Sequence, residues 1–323
     1  MEIGSFIELQ FPKGREYYPQ EKNIARLNTG RAAIWHAFRV LGCKAIWLPY
    51  YQCDTVRDFL KRKNIDIKYY HIDKNFNPID LDPKEDEAVL FVNYYGVMSA
   101  SRMASLAEHY EHVIIDNSQA FFSRPLAGYM NVYSCRKFVG VPDGAYVIGE
   151  GADKFTDEYP LCYSSDTALF LLQRIEYGCE GKAYQSRGVN EHRIDTEDCM
   201  RMSKLTHTIL DGTDYDEIIC KRKENFRLAC GLWNDVNRIN PMQYHDDETI
   251  PMVYPLVIED DGLLKRLQDA KHFQGHWWSY LCNEMPENTF EHWLSRYVIP
   301  ITIDQRYGEK ELKSLADIIS SRR

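Results

Sequence analysis

Short apolar runs alternate with amphipathic segments between residues 30 and 149, and this alternation constrains the fold more than any other feature. Strands are predicted at residues 45–49, 67–72, 88–93 and 112–116, and helices at residues 30–41, 54–64 and 101–110. Short connections between such elements are typical of βαβ units, in which parallel strands form one sheet covered by helices on both faces. The sequence therefore predicts an α/β fold with a mostly parallel central sheet.

The pattern changes after residue 150, where amphipathic helical segments such as residues 166–178 and 198–210 dominate and strand-like runs return only at residues 251–259 and 297–303. This part of the chain predicts a smaller C-terminal α+β unit. We place the boundary after "DGT", which gives a large domain of residues 1–212 and a small domain of residues 213–323. The N-terminal segment, residues 1–25, could pack on the small domain.

Composition and charge limit the classes of partner. With 323 residues, 44% of them hydrophobic, and a formal charge of −9, the chain reads as a globular protein that does not act mainly on nucleic acid or an anionic membrane. No apolar run approaches the ~18 residues of a membrane helix, and the start lacks the basic head of a signal peptide, so we expect a cytoplasmic location. The nine cysteines include no CxxC pair, and no metal site is expected.

Polar side chains follow three of the predicted strands. Asn93, Asp116, and Ser134 with Lys137 lie at or just past strand ends. Ligands of open α/β sheets bind outside the carboxyl ends of the strands. We therefore expect these residues to converge on one site.

Lys137 belongs to the stretch "VYSCRKFVGVPDGAYVIG", residues 132–149. A lysine amine is a nucleophile only when deprotonated, a state that burial and a nearby cation favour. Arg136 could supply that cation or form a structural ion pair, and the sequence leaves both open. A nucleophilic amine can form a Schiff base with a carbonyl, and the commonest aldehyde cofactor for this is pyridoxal 5′-phosphate (PLP).

Other residues provide what PLP requires. Asp116 could keep the pyridine nitrogen protonated, although a strand-end aspartate is more often a turn former. Gln119 could contact the phenolic oxygen of the ring. Thr29 and Gly30 open a predicted helix, whose first N–H groups can bind a phosphate, and Ser134 can add a hydroxyl.

Several segments together resemble one family. "LNTGRAAI" (27–34), "AIWLPYYQCDTV" (45–56), "VIIDNSQAF" (113–121) and "YSCRKFVGVPDGAYVIG" (133–149) resemble the DegT/DnrJ/EryC1/StrS sugar aminotransferases, which have the fold type I, aspartate aminotransferase-like architecture of PLP enzymes. The resemblance covers roughly residues 20–150. It implies that Lys137 is the Schiff-base lysine, that Asp116 and Gln119 contact the ring, and that Thr29, Gly30, Arg31 and Ser134 surround the phosphate.

The chain departs from the family pattern at three places. The spacing Ser-x-x-Lys is shorter than usual between Ser134 and Lys137. Cys53 stands where the family stacks an aromatic ring on PLP, with Tyr50 and Tyr51 as the nearest substitutes. Cys199 replaces an asparagine that reaches the neighbouring subunit's phosphate, although Asn190 could take its place. Asn93 aligns with a polar residue near the ring.

The resemblance also implies a reaction. An amino acid donor, typically glutamate, would pass its amino group through PLP to a keto group of a nucleotide-linked sugar, in the synthesis of polysaccharide or glycan precursors. The family's fold implies a homodimer. A lyase or dehydratase acting on a related sugar and a non-catalytic dimeric scaffold are the alternatives. Because histidine replaces the lysine in the family's dehydratase variant, Lys137 favours transamination.

Overall fold

The computed structural model describes residues 3–321, so the outermost residues of both predicted domains lie outside it. Over this range the strands are β1 (Ile24–Leu27), β2 (Ala45–Pro49), β3 (Asp66–Ile72), β4 (Pro78–Ile79), β5 (Glu87–Val92), β6 (Val113–Asn117), β7 (Met130–Ser134), β8 (Ala145–Ile148), β9 (Val253–Val257) and β10 (Val298–Thr302). The α-helices are α1 (Gly30–Leu41), α2 (Asp54–Arg62), α3 (Ala100–Ala107), α4 (Leu169–Tyr177), α5 (Lys182–Thr196), α6 (Lys204–Asp211), α7 (Tyr215–Trp233), α8 (Leu263–Asp269), α9 (Leu281–Glu284), α10 (Phe290–Tyr297) and α11 (Glu309–Ser320).

The central sheet has the order β1-β8-β7-β6-β5-β2-β3-β4. The five inner strands β7, β6, β5, β2 and β3 are parallel to one another, and β8 and β4 are antiparallel to them. The edge strand β1 pairs antiparallel with β8 and so runs in the same direction as the inner strands. Strands β5 and β6 are buried along their whole length, as expected for parallel strands covered on both faces. The predicted α/β class with a mostly parallel sheet is confirmed.

Helix α1 leads from the edge strand β1 onto the sheet, and its ends are defined by local chemistry. The Thr29 hydroxyl accepts a hydrogen bond from the Ala32 backbone N–H at 3.2 Å, which is an N-cap. Gly42 closes the helix in the left-handed conformation at φ 71°, where glycine is preferred. Because the cap is at the carboxyl edge of the sheet, the free N–H groups of the first turn point toward that edge.

The C-terminal part builds around the antiparallel pair β9–β10 and the long helix α7. It contacts the sheet unit through two tryptophans: Trp277 stacks on Tyr95 with centroids 5.5 Å apart, and Trp278 meets Tyr51 edge-on at 4.5 Å. The domain boundary near residue 212 stays a prediction. Glu16, in the N-terminal segment, forms an ion pair with Arg26 of β1 and accepts a hydrogen bond from the Tyr146 hydroxyl of β8.

Two helices of the structure differ from what the sequence predicts. A helix expected over residues 198–210 begins only at Lys204, because the residues before it run alongside β1: Asn28 N–H donates to Met200 O, and Met202 N–H donates to Arg26 O. Helix α5 is not anticipated from its polar sequence; it packs against α4 to form a helical hairpin. No helix within residues 3–321 is long and apolar enough to cross a membrane.

Candidate active site

Gly30 and two serines form a small cradle at the start of α1. A Cβ atom on Gly30 would lie 3.2 Å from the Ser118 hydroxyl oxygen and 3.8 Å from Ser134 Cβ. Both serines are buried, Ser134 as the last residue of β7 and Ser118 just after β6. The hydroxyls and the free N–H groups of the helix start are the donors that bind a phosphate. We call Gly30, Ser118 and Ser134, with Thr29 at the N-cap, the cradle.

Asp116 and Lys137 lie on the strands that carry these serines. Asp116 is buried on β6 beside β7, and its Oδ1 accepts from the Ser118 backbone N–H at 2.9 Å. Lys137 ends a 3-10 turn, Cys135–Lys137, that follows Ser134 directly, and its side chain is exposed. The antiparallel pairing of β7 with β8 fixes the backbone on both sides of this turn. A buried carboxylate and an amine therefore belong to adjacent parallel strands that end at one edge.

Gln119 is held by the loop after β5. Its Oε1 accepts from the Tyr95 backbone N–H at 2.6 Å, while its Nε2 donates to no acceptor in the described part of the chain. Tyr95 has φ 60°, an unusual conformation for a tyrosine, and Gly96 follows at φ 71°. A Cβ on Gly96 would lie 2.1 Å from the Gln119 carbonyl oxygen, so only glycine fits there. The tight loop orients Gln119 with its amide nitrogen as the available donor.

The side chain of Asn93, which its strand-end position predicts to face the site, forms hydrogen bonds with its own loop and with β6. Its Nδ2 donates to Met98 O at 3.2 Å and to Asn117 Oδ1 at 3.1 Å, and its Oδ1 accepts from Met98 N–H at 3.3 Å. The side chain is fully buried. Its hydrogen bonds thus stabilise the loop that leads to Tyr95 and Gly96.

Tyr51 and Cys53 lie toward the C-terminal unit. Tyr51 is fully buried, with its hydroxyl 2.7 Å from that of Tyr95 and its ring in edge-on contact with Trp278. Cys53 is the N-cap residue of α2, with its Sγ 3.1 Å from the Thr55 hydroxyl. It also lines a pocket of about 290 Å³ between α2 and α9, with Tyr50, Arg57, Tyr69 and Tyr280.

Arg31 and Arg136 both form ion pairs with α5. Arg31, in the first turn of α1, pairs with Asp195 at 2.6 Å, and Arg136 pairs with Glu191. Burial lowers the pKa of Arg136, and the nearby cations Arg187 and Arg31 lower it further, whereas Glu191 raises it. Arg136 therefore forms an ion pair, one of the two alternatives that the sequence leaves open.

Asn190, which also lies on α5, forms a hydrogen bond within the chain. Asn190 is fully buried, and its Nδ2 donates to Pro142 O at 3.0 Å. Cys199 is buried, which raises the pKa of its thiol to about 12. Asn190 therefore anchors α5 to the loop that follows Lys137.

Two parts of this site are not predicted by the sequence patterns. Ser118 stands between Asp116 and Gln119 in "DNSQ", and its polarity is the only local signal. Glu191 and Asp195 lie four residues apart on α5, a spacing that places both on one helix face, but α5 itself is not predicted. Both features depend on contacts between distant parts of the chain.

Comparison with solved structures finds the same fold in sugar-modifying proteins. A sugar aminotransferase from Micromonospora echinospora has a TM-score of 0.61 at 15% identity, over 93% of this chain and 88% of that one. A DegT DnrJ EryC1 StrS aminotransferase from Brucella abortus has a TM-score of 0.58 at 13% identity, over 92% and 84%. The GDP-4-keto-6-deoxy-D-mannose-3-dehydratase of E. coli, with bound hydrated PLP, has a TM-score of 0.62 at 14% identity, over 92% and 87%.

No protein-family model matches the chain, and no curated protein sequence matches it. At identities of 13–15% the structural likeness establishes the fold. The likeness extends through the C-terminal part of the chain, where the sequence resemblance is loose. The chain therefore has the fold shared by these sugar aminotransferases and the dehydratase, as the sequence resemblance predicted.

Proposed function

We propose that this protein is a divergent DegT/DnrJ/EryC1/StrS aminotransferase that uses PLP to move an amino group from glutamate to a keto group of a nucleotide-linked sugar. The observation that carries the proposal is the cradle at the start of α1, together with Asp116 and Lys137 at the same sheet edge. Because position 30 has no side chain, the first turn of α1 lies close to two buried serines, which brings its backbone N–H groups and their hydroxyls together as donors for one phosphate.

The residues fit the chemical groups of PLP. The cradle offers hydroxyls and backbone N–H groups to a phosphate, and Arg31 adds a positive charge in the same helical turn. Asp116 offers a buried carboxylate to a protonated pyridine nitrogen, and Gln119 offers an N–H to a phenolic oxygen. When bound, PLP withdraws electrons from the substrate carbon and so stabilises the charge left by proton removal.

Lys137 would have two parts in this reaction. Its Nζ would hold the cofactor through the aldehyde group. As a free amine, the same Nζ would accept the proton from the substrate carbon and hold it for return. Because the lysine follows Ser134 within one 3-10 turn, the residues for the phosphate and the aldehyde are positioned by the same segment.

The proposal includes a homodimer and small-molecule substrates. The finer parts, including the sugar, the glutamate donor and a place in polysaccharide precursor synthesis, rest on the resemblance. The contributions of Cys53, Tyr51 and Asn93 to cofactor binding stay predictions. The Tyr51 hydroxyl and the Asn93 amide already form hydrogen bonds within the chain, which do not support a direct contact of these groups with the cofactor.

The visible spectrum of the purified protein tests the proposal. With added PLP we expect the band near ~420 nm that a lysine-bound PLP gives, and glutamate should convert it to the pyridoxamine form. Lys137→Ala should abolish the band and slow the reaction with glutamate by about 10²–10⁴-fold, the range for losing a positioned acid–base group. Lys204→Ala, an exposed lysine at the start of α6, is the matched control and should behave as wild type.

Two results would count against the proposal, and they differ in meaning. A protein with no such band, or a band that survives in Lys137→Ala, would rule out the assignment of the lysine. A normal band that glutamate and other amino acids never convert would rule out transamination and leave the dehydratase chemistry of one structural neighbour.

A further inference from the structure

Five charged residues form a cluster beside the cradle, which we call the arginine cluster: Arg31, Arg136, Arg187, Glu191 and Asp195. Arg31 pairs with Asp195 at 2.6 Å, Arg136 pairs with Glu191, and Arg187 Nε lies 3.9 Å from Glu191 Oε1. Three guanidiniums thus face two carboxylates, which leaves one positive charge in excess. Arg136 immediately precedes Lys137, so the cluster adjoins the proposed reacting group.

Arg136 has donor capacity that the protein does not use. One of its terminal nitrogens, Nη2, donates to Glu191, but its Nε is buried and has no hydrogen-bond acceptor within residues 3–321. Burial lowers the pKa of this guanidinium, and its two arginine neighbours act in the same direction. An additional oxyanion would satisfy the unused donor and offset the repulsion among the cations.

The carboxylates of the cluster come from a weakly packed part of the chain. Helix α4 buries none of its side chains, and α5 buries only Ala183, Asn190 and Ile194. The side chains of Glu191 and Asp195 are 37% and 49% exposed. Segments with few buried contacts open at low free-energy cost, so these carboxylates can leave the arginines more easily than core groups could.

We propose that Arg136 binds an oxyanion of the substrate and that Glu191 occupies this site until the substrate arrives. The inference deepens the proposed function and rests on it for the identity of the substrate. Both half-reactions bring an oxyanion, since glutamate carries carboxylates and a nucleotide-linked sugar carries a diphosphate. Exchange of one anion for another keeps the buried guanidinium paired throughout.

Calorimetric binding of two probes separates the sources of the oxyanion. Glutarate has the carboxylates of glutamate without its amine, and inorganic pyrophosphate stands for the diphosphate. We expect at least one of them to bind the PLP-loaded protein, more tightly in Glu191→Gln by about tenfold because the competing charge is gone. Arg136→Gln should remove that binding, and Arg136→Lys should weaken it because a lysine keeps the charge but not the fork of donors.

A second ion pair of the hairpin provides the matched control. Glu180 lies between α4 and α5 and pairs with Lys271 of the C-terminal unit at 3.2 Å. Like Glu191 it ties the hairpin to another part of the chain, but it is not part of the arginine cluster. Glu180→Gln should leave probe affinity unchanged. If it tightens binding as much as Glu191→Gln does, or if Arg136→Gln binds both probes like wild type, Glu191 is a structural tether and the inference is wrong.

The failure of this inference can be told apart from failure of the proposed function. The difference in glutarate binding between wild type and Arg136→Gln reports on Arg136, whereas the Lys137 band reports on the cofactor. Thermal unfolding of each variant shows whether a loss of binding is a loss of folding. A folded Arg136→Gln that forms the Lys137 band but loses the probe supports the inference; one that forms the band and keeps the probe overturns it.

Discussion

At the scale of single residues, Gly30 determines how closely another group can approach the first turn of α1. Its backbone lies in an ordinary helical position, so glycine is not needed there for conformation. The space around it is the constraint, because a Cβ would lie 3.2 Å from the Ser118 hydroxyl. A glycine that is unfavourable for helix stability but lets the helix start lie close to buried hydroxyls indicates a binding role.

We expect Gly30→Ala to separate cofactor affinity from folding stability. The added methyl group would crowd the Ser118 hydroxyl that is proposed to bind the phosphate, so the Kd for PLP should rise by about tenfold or more, the effect of losing one charge-assisted hydrogen bond. The free energy of unfolding should change by no more than about 1 kcal/mol, because the better helix propensity of alanine is offset by the tight contact with the Ser118 hydroxyl. PLP titration and urea unfolding of the same preparation measure the two quantities.

Gly42→Ala is the control with the opposite pattern. Gly42 has φ 71°, and no atom lies within 4 Å of the position that its Cβ would take, so the substitution strains the backbone without filling any site. It should lower the free energy of unfolding by about 1 kcal/mol and leave the Kd for PLP unchanged. A Gly30→Ala protein that binds PLP as tightly as wild type would show that the phosphate does not use the cradle.

Strand-end chemistry predicted some of these residues better than others. Asp116, Ser134 and Lys137 could be proposed from the sequence because their strands are clearly apolar and parallel strands end at one edge. Asn93 has the same kind of position, yet its amide is used by Met98 and Asn117, a local network that no periodicity reveals. Ser118 becomes relevant only because α1 packs over the end of β6.

At the scale of elements, the regular βα units were predictable and the hairpin was not. Helix α1 and strand β2 have the predicted bounds, since Thr29, Gly42 and Pro49 give clear start and stop signals. Helix α5 has no continuous apolar face, and its buried positions are few. Its place in the fold depends on ion pairs with Arg31 and Arg136, which sequence patterns do not specify.

The position of α1 depends on a buried histidine, which gives the stability a pH dependence. His36 Nε2 donates to Ala152 O at 2.7 Å, and its Nδ1 lies 2.9 Å from the Tyr159 hydroxyl, which can donate to it when the ring is neutral. Burial lowers the pKa of His36 in the folded state. The unfolded chain therefore takes up a proton near pH ~6.5 that the folded chain does not, and acid favours unfolding.

We expect the free energy of unfolding to fall as the pH is lowered from about 7.5 to about 5.5, and to fall less in His36→Gln. Burial also lowers the pKa of His207 and His245, so part of the dependence should remain in that variant. His109→Gln is the control, because His109 is 75% exposed and should leave the slope unchanged. Urea unfolding at both pH values measures this; equal slopes for His36→Gln and wild type would contradict it.

At the scale of the whole molecule, exposed apolar side chains concentrate in two segments. One is the α4–α5 hairpin and the residues just before it; the other is the N-terminal segment. The exposed residues are Tyr163, Leu169, Leu172, Ile175, Tyr177, Tyr184 and Val189 in the first, and Ile3, Phe6, Ile7 and Leu9 in the second. Concentrations of this kind on the surface of a folded protein mark interfaces. They support the proposed homodimer, with the hairpin that carries Glu191 close to the contact.

We expect the wild-type protein to sediment as a dimer and the double variant Leu172→Glu/Ile175→Glu to sediment as a monomer at the same concentration. Leu172 is 52% exposed and Ile175 is 82% exposed, so each glutamate would place a charge in the contact. Folding should be unaffected, because α4 buries no side chain and glutamate is a good helix former. Far-UV circular dichroism and thermal unfolding check that condition.

Val236→Glu is the matched control, since Val236 is 49% exposed but follows α7 in the C-terminal unit. It should remain dimeric. If the double variant is a folded dimer, the hairpin is not the interface, and the N-terminal segment becomes the next surface to test. If it is a folded monomer whose affinity for glutarate also changes, then dimer formation and the carboxylates of α5 are coupled, because the hairpin that the partner holds is the one that places Glu191 on Arg136.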